Sequence, residues 1–133
     1  MPSAKPPSPP LLLLLCVLGL GMWTYRDVGS FSYVQFDDPA LVTSNPYVKR
    51  GITGDSLLWA FTFKETEGRP AEPMARELWA PLSFVSLAFD VQLGGLNSGL
   101  QHRVNLLLHL LGTALVFVFF QKVIYGCAYH GLL

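Results

Sequence analysis

Asp37 and Asp38 stand side by side in "SYVQFDDPALVTSNP", residues 32–46, and a proline follows them at once. Adjacent carboxylates feel one another's charge, so the pair concentrates negative charge at one point of the chain. A carboxylate held near a membrane surface can act as general base on an acceptor hydroxyl, or can help bind a divalent cation. The same residues also suffice for a plain turn, because Asp-Asp-Pro followed by Thr-Ser-Asn-Pro is good turn chemistry by itself. A second polar set, His102, Asn105 and His109, falls at i, i+3 and i+7 on one helical face. Polar side chains inside an apolar run are costly and usually face a partner or a wet cavity. An interhelical hydrogen bond and a part in a substrate site both fit them. Metal ligation without a cysteine is the weaker use.

Those residues are positioned by a chain of unusual distribution. It has 133 residues, 51% of them hydrophobic, with nine basic and nine acidic side chains. The apolar residues concentrate in residues 11–25 and 104–124, whereas all nine acids lie between, from Asp27 to Asp90. Zero net charge gives no electrostatic case for a nucleic-acid partner. Cys16 and Cys127 are far apart and suggest neither a disulfide framework nor a metal motif.

"LLLLLCVLGLGMWTY" follows a proline-rich tail, "MPSAKPPSPP", which is expected to be extended and disordered. Its apolar residues reach roughly 22 Å, short of a ~30 Å hydrocarbon core. Pro9 and Pro10 can extend the helix, since proline is tolerated in the first turn. Trp23 and Tyr25 read as an interfacial anchor. The competing reading is a signal peptide, with Lys5 as its basic region and Val28-Gly29-Ser30 as a small-residue cleavage site. Trp23, Tyr25, Arg26 and Asp27 make a poor approach to a signal peptidase and favour an uncleaved anchor. The second run, "VNLLLHLLGTALVFVFFQKVI", is long enough to span at roughly 31 Å, and within it Gly112 and Ala114 read as helix-packing positions.

Between the runs, "GITGDSLLWAF" predicts a helix with Thr53 as N-cap and Asp55 in its first turn. "KETEGRPAEPMARE" reads as a mobile connection broken by Gly68, Pro70 and Pro73. Residues 79–92 turn helical, with Ser83, Ser86 and Asp90 forming one polar stripe on an apolar cylinder. Such a helix can lie at a membrane surface with Asp90 satisfied by solvent. "GGLNSG" then breaks it.

In order along the chain, "FDDPALVTSNPYVKRGIT", "LLWAFT", "WAPLSFVSLAFDVQLGGLN" and "HRVNLLLHLL" form a series. It resembles the N-terminus of the TMTC-type proteins, transmembrane and tetratricopeptide-repeat O-mannosyltransferases, and their bacterial relatives, over residues 32–120. The "DDP…VTSNP" form is closer to the bacterial members. The resemblance implies a membrane glycosyltransferase of the GT-C fold, a polyprenyl-phosphate-linked sugar donor, mannose in this branch, and a protein hydroxyl as acceptor. It implies that Asp37 holds the catalytic acid position and Asp38 that of its partner, in the first extracytoplasmic loop, where the donor's lipid tail holds its phosphate. Ala80 stands where the family usually carries Arg or His, which puts a donor-phosphate contact there in doubt. The family continues through many more spans and then tetratricopeptide repeats, so the chain reads as an N-terminal fragment or a truncated form, inactive alone.

The expected architecture is an all-α integral membrane protein, a two-span helical hairpin with a long extracytoplasmic loop of short helices, the N-terminal part of a GT-C fold. Its parts are a disordered cytoplasmic tail (1–10), a first transmembrane helix (9–25), the loop (26–103), a second transmembrane helix (104–124) and a cytoplasmic tail (125–133). The bilayer is then a bacterial inner membrane, with the endoplasmic reticulum as alternative. Asp37 and Asp38 are the candidate catalytic residues, with His102, Asn105 and His109 as candidate substrate-binding residues. A divalent cation remains an open cofactor. Two other classes stay in view: a non-catalytic membrane subunit whose loop binds protein, and a metal-binding protein that uses the histidines.

Overall fold

The computed structural model of the protein describes residues 9–65, 70–71 and 73–129, with Pro9 and residues 125–129 described through their backbone. The tails expected over residues 1–8 and 130–133, and part of the charged connection, lie outside the described residues. Five α-helices follow one another: α1 (Pro9–Thr24), α2 (Gly54–Thr62), α3 (Pro73–Glu77), α4 (Pro81–Gly94) and α5 (Ser98–Tyr129). Short helical turns at Val28–Ser30, Pro39–Thr43 and Val48–Arg50 precede α2, and the described residues contain no strand. The chain divides into two compact units, the residues 28–104 and the helical remainder on either side.

The helical unit is built from α1 and the part of α5 beyond Val104. Both helices are long and apolar enough to cross a membrane, and none of their most apolar stretch is buried within the protein. By itself α1 reaches about 24 Å and α5 about 48 Å. They run antiparallel: Gly21 faces Leu110, while Pro10 and Leu13 share a groove with Thr113, Phe117 and Ile124. A Cβ on Gly21 would meet Leu110 Cδ2 at 3.0 Å, whereas one on Gly112 would meet nothing within 4 Å. The close-packing role expected of Gly112 therefore falls to Gly21. Hydroxyls on these helices bond their own backbone, Thr24 to the Leu20 carbonyl at 2.8 Å and Thr113 to that of His109 at 2.9 Å. That removes the cost of a bare hydroxyl in apolar surroundings.

The loop unit, by contrast, has a core. Trp59 of α2 is fully buried, stacked on Tyr47 at 4.9 Å and met edge-on by Phe63 and Phe84 at 5.5 and 4.8 Å. Offset and edge contacts of this kind add to the gain from area burial. Thr53 caps α2 in a full capping box with Ser56, as its place in the sequence predicts. At the other end Phe63 takes the left-handed conformation (φ 53°) while its N–H reaches the Trp59 carbonyl. That strained backbone is unusual for an aromatic residue, and here it keeps the Phe63 ring on Trp59.

Two expectations are corrected. Pro73 does not break the charged segment but opens α3, where a missing N–H costs nothing. Arg76 of that helix holds Glu65 at 2.7 Å and donates to the Ala71 carbonyl, so this end of the connection is tied down. The second long helix begins at Ser98 rather than at Val104, because the Asn97 Oδ1 accepts the Leu100 N–H and caps it. The glycine-rich break is correspondingly short. Gly95 (φ 66°) ends α4, and Gly99 lies so close to the Gly29 carbonyl that a Cβ there would collide with it.

Candidate functional site

The Asp37–Asp38 pair sits in the loop unit at the entrance to the Pro39–Thr43 turn. Both residues are half-buried. The Asp38 Oδ2 accepts the Val34 N–H at 2.6 Å, closing the chain from 34 to 38 on itself. The Leu41 N–H then bonds the Asp37 carbonyl at 2.9 Å, and the Ser44 N–H bonds that of Pro39 at 2.7 Å. Downstream, buried Asn45 accepts the N–H groups of Tyr47 and Val48 at 3.0 and 3.2 Å. The turn reading of "DDPALVTSNP" is therefore correct for Asp38 and Asn45. It does not use Asp37, whose carboxylate makes no hydrogen bond or ion pair among the described residues.

Asp90 overturns the solvent-facing stripe assigned to α4. It is only 1% exposed, and its Oδ1 has no hydrogen-bond partner among the described residues. Burial pushes its carboxyl above the usual range. Tyr33 is also raised, first by burial and then by the nearby carboxylates of Asp38 and Asp90, and its buried hydroxyl lacks a partner. A phenol that keeps its proton is a donor held in the field of two carboxylates. Sequence reasoning missed both residues as members of this neighbourhood. Tyr33 lies in the same motif, but nothing local in the sequence says that Asp90, 57 residues further on, comes within electrostatic reach of it.

The polar set lies along the continuous helix α5, and its members differ in burial. His102 belongs to the loop unit, is half-buried and meets Phe31 edge-on at 6.5 Å, with its Nε2 unpartnered. Asn105 is exposed, and His109 is exposed against Tyr25 at 6.1 Å in the helical unit. Gln101, absent from the sequence expectation, is buried at 4% exposure with an unpartnered amide nitrogen. Its only signal was a polar residue one position ahead of His102. Among the described residues no group of three or more His, Cys, Asp or Glu is gathered tightly enough to hold a metal ion.

No protein-family model matches the chain, and no curated protein or solved structure matches it either.

Proposed function

We propose that the chain crosses a membrane as a helical hairpin, with both termini cytoplasmic and the loop unit extracytoplasmic. In this reading it forms part of a GT-C glycosyltransferase that moves mannose from a polyprenyl-phosphate donor to a protein hydroxyl. Two exposed apolar helices support the membrane part. Lys5 and Lys122 lie at the outer ends of the two spans with no acid beside either, and the orientation is read from them.

The observation that carries the chemical part is the division of labour between adjacent carboxylates. Asp38 is spent on the turn, at 2.6 Å from the Val34 nitrogen, while the Asp37 carboxylate beside it has no partner among the described residues. A general base must be fixed in place and must also have a lone pair free for the proton it takes. Asp37 keeps its lone pairs, and its backbone is held by the Leu41 N–H on its carbonyl at 2.9 Å, with Asp38 as its positioning residue. The base removes the acceptor hydroxyl's proton as the oxygen attacks the sugar carbon, and the polyprenyl phosphate leaves.

The test is transfer of labelled mannose from a polyprenyl-phosphate donor in membranes that carry the variant at the chromosomal copy. Asp37→Asn is expected to lose ~10²- to 10⁴-fold in rate. Asp38→Asn should lose far less, because the amide oxygen still accepts the Val34 N–H. Asp55→Asn, half-exposed and 3.9 Å from Arg50, serves as the control and should leave transfer intact. Near-wild-type transfer in Asp37→Asn leaves the pair as a turn and nothing more.

A further inference from the structure

The turn that carries Asp37 also presents a ring that the fold leaves unused. The hydrogen bond from the Val34 N–H to Asp38 closes the chain on itself, with Gln35, Phe36 and Asp37 at the tip. Phe36 is 75% exposed, as bare as any large apolar side chain of the loop unit. Tyr33 and Leu41, on either side in sequence, pack against the Trp59 core. Phe36 does not, and it meets no other ring among the described residues. Gln35 is exposed and Asp37 half-buried, and neither side chain has a hydrogen-bond partner among the described residues. Consecutive residues at the tip thus offer a free amide, a bare phenyl ring and a free carboxylate.

We propose that this tip is a sugar-binding platform, on which the Phe36 ring carries one face of a pyranose while Gln35 and Asp37 meet its hydroxyls. A pyranose has that mixed character, with C–H bonds on its faces and hydroxyls around its rim. Its C–H hydrogens are slightly positive and suit the negative face of an aromatic ring. Ligand sites combine such apolar contact with a few polar groups that fix orientation. Other occupants fit less well. A lipid layer would take Phe36 only together with the free amide and carboxylate beside it, and burying those without partners is costly. A stable protein interface needs ~800 Å² on each partner, far more than one ring offers. Reach agrees with the sugar. A base lies about 3 Å from the acceptor oxygen, and that oxygen about 3 to 3.5 Å from the carbon it attacks. The sugar carbon is then roughly 6 to 7 Å from the Asp37 carboxylate. A ring on the adjacent residue, whose Cα is ~3.8 Å away, covers that distance. The proposal rests on the transferase reading of Asp37 for the identity of the sugar, mannose, but contact between ring and sugar needs no transfer.

Saturation-transfer NMR with methyl mannoside tests it on the full chain in detergent micelles. Irradiating the aromatic protons of the protein should pass magnetisation to the C–H protons of the sugar, and more to one ring face than to the other. Phe36→Ala and Phe36→Leu should weaken binding roughly threefold to tenfold, while Phe36→Trp should retain it. Leucine separates the occupants, because a lipid contact accepts an aliphatic side chain as readily as a ring. Unchanged near-ultraviolet dichroism of the Trp59 core shows that each variant, at an exposed position, stays folded. No signal in the wild-type chain, or an equal signal in Phe36→Ala or Phe36→Leu, overturns the proposal. Asp37→Asn in the transfer assay keeps the two readings apart. Transfer lost in that variant, with a sugar signal indifferent to Phe36, removes the platform and leaves the base. A Phe36-dependent signal with near-wild-type transfer in Asp37→Asn leaves the platform standing and removes the base.

Discussion

The helical unit and the loop unit bury their apolar residues in opposite ways. In α1 and the distal part of α5, Leu13, Leu20, Leu115 and Phe119 are more than half exposed, and no described residue covers them. In the loop unit Tyr47, Trp59 and Phe84 are almost fully buried against one another. The first arrangement is costly in water, at about 25 cal/mol for each Å² of apolar surface left bare, and suits a hydrocarbon surrounding. The second carries its own core and needs no lipid to hold it.

Truncating one large side chain in each region should break the comparison most visibly. Trp59→Ala is expected to destabilise the loop unit by ~3 to 5 kcal/mol, read as loss of near-ultraviolet dichroism and of amide-exchange protection in residues 47–63. Leu115→Ala in α5, which is 64% exposed, should change stability by less than about 0.5 kcal/mol in the same vesicles. A large loss at Leu115 would mean that the span packs against protein. Thr53→Ala removes the cap of α2 and should cost about 1 kcal/mol, seen as faster exchange at the amides of residues 54–57. At Asp90 the expected change is one of slope. Its carboxyl is raised in the fold, so the folded state favours the protonated form. The stability of the loop unit should be highest at acid pH below the unfolded value and should fall as pH rises through the raised one. Asp90→Asn cannot ionise and should flatten that part of the profile. Tyr33 contributes only at alkaline pH, where ionising a buried phenol between carboxylates adds a further loss.

Much of the fold could be read from residue types because its signals are local. The two apolar runs, the Thr53 cap and the turn chemistry after Asp38 each depend on neighbours within a few positions. The Asp90 error has a different origin. Helical periodicity correctly placed Ser83, Ser86 and Asp90 along one stripe, and Ser83 is indeed exposed. Periodicity cannot say what covers the flank of a helix, and here Asp90 is shut away from solvent in a neighbourhood it shares with Tyr33. The opposite misreading befell Pro73, taken as a breaker although proline also starts helices. At the site, neighbouring aspartates look equivalent in sequence. Only the Val34 hydrogen bond distinguishes the carboxylate that builds the turn from the one left free.

The proposed transfer requires the loop unit to lie outside the cytoplasm between two spans, where a donor phosphate would meet Asp37. Single cysteines at Ser3 and at exposed Ser44, in a chain whose Cys16 and Cys127 are replaced, can be probed in intact cells with a membrane-impermeant thiol reagent, through a permeable outer layer. The hairpin predicts labelling at Ser44→Cys, and protection of Ser3→Cys until the membrane is broken. Labelling at position 3 with protection at position 44 would contradict it.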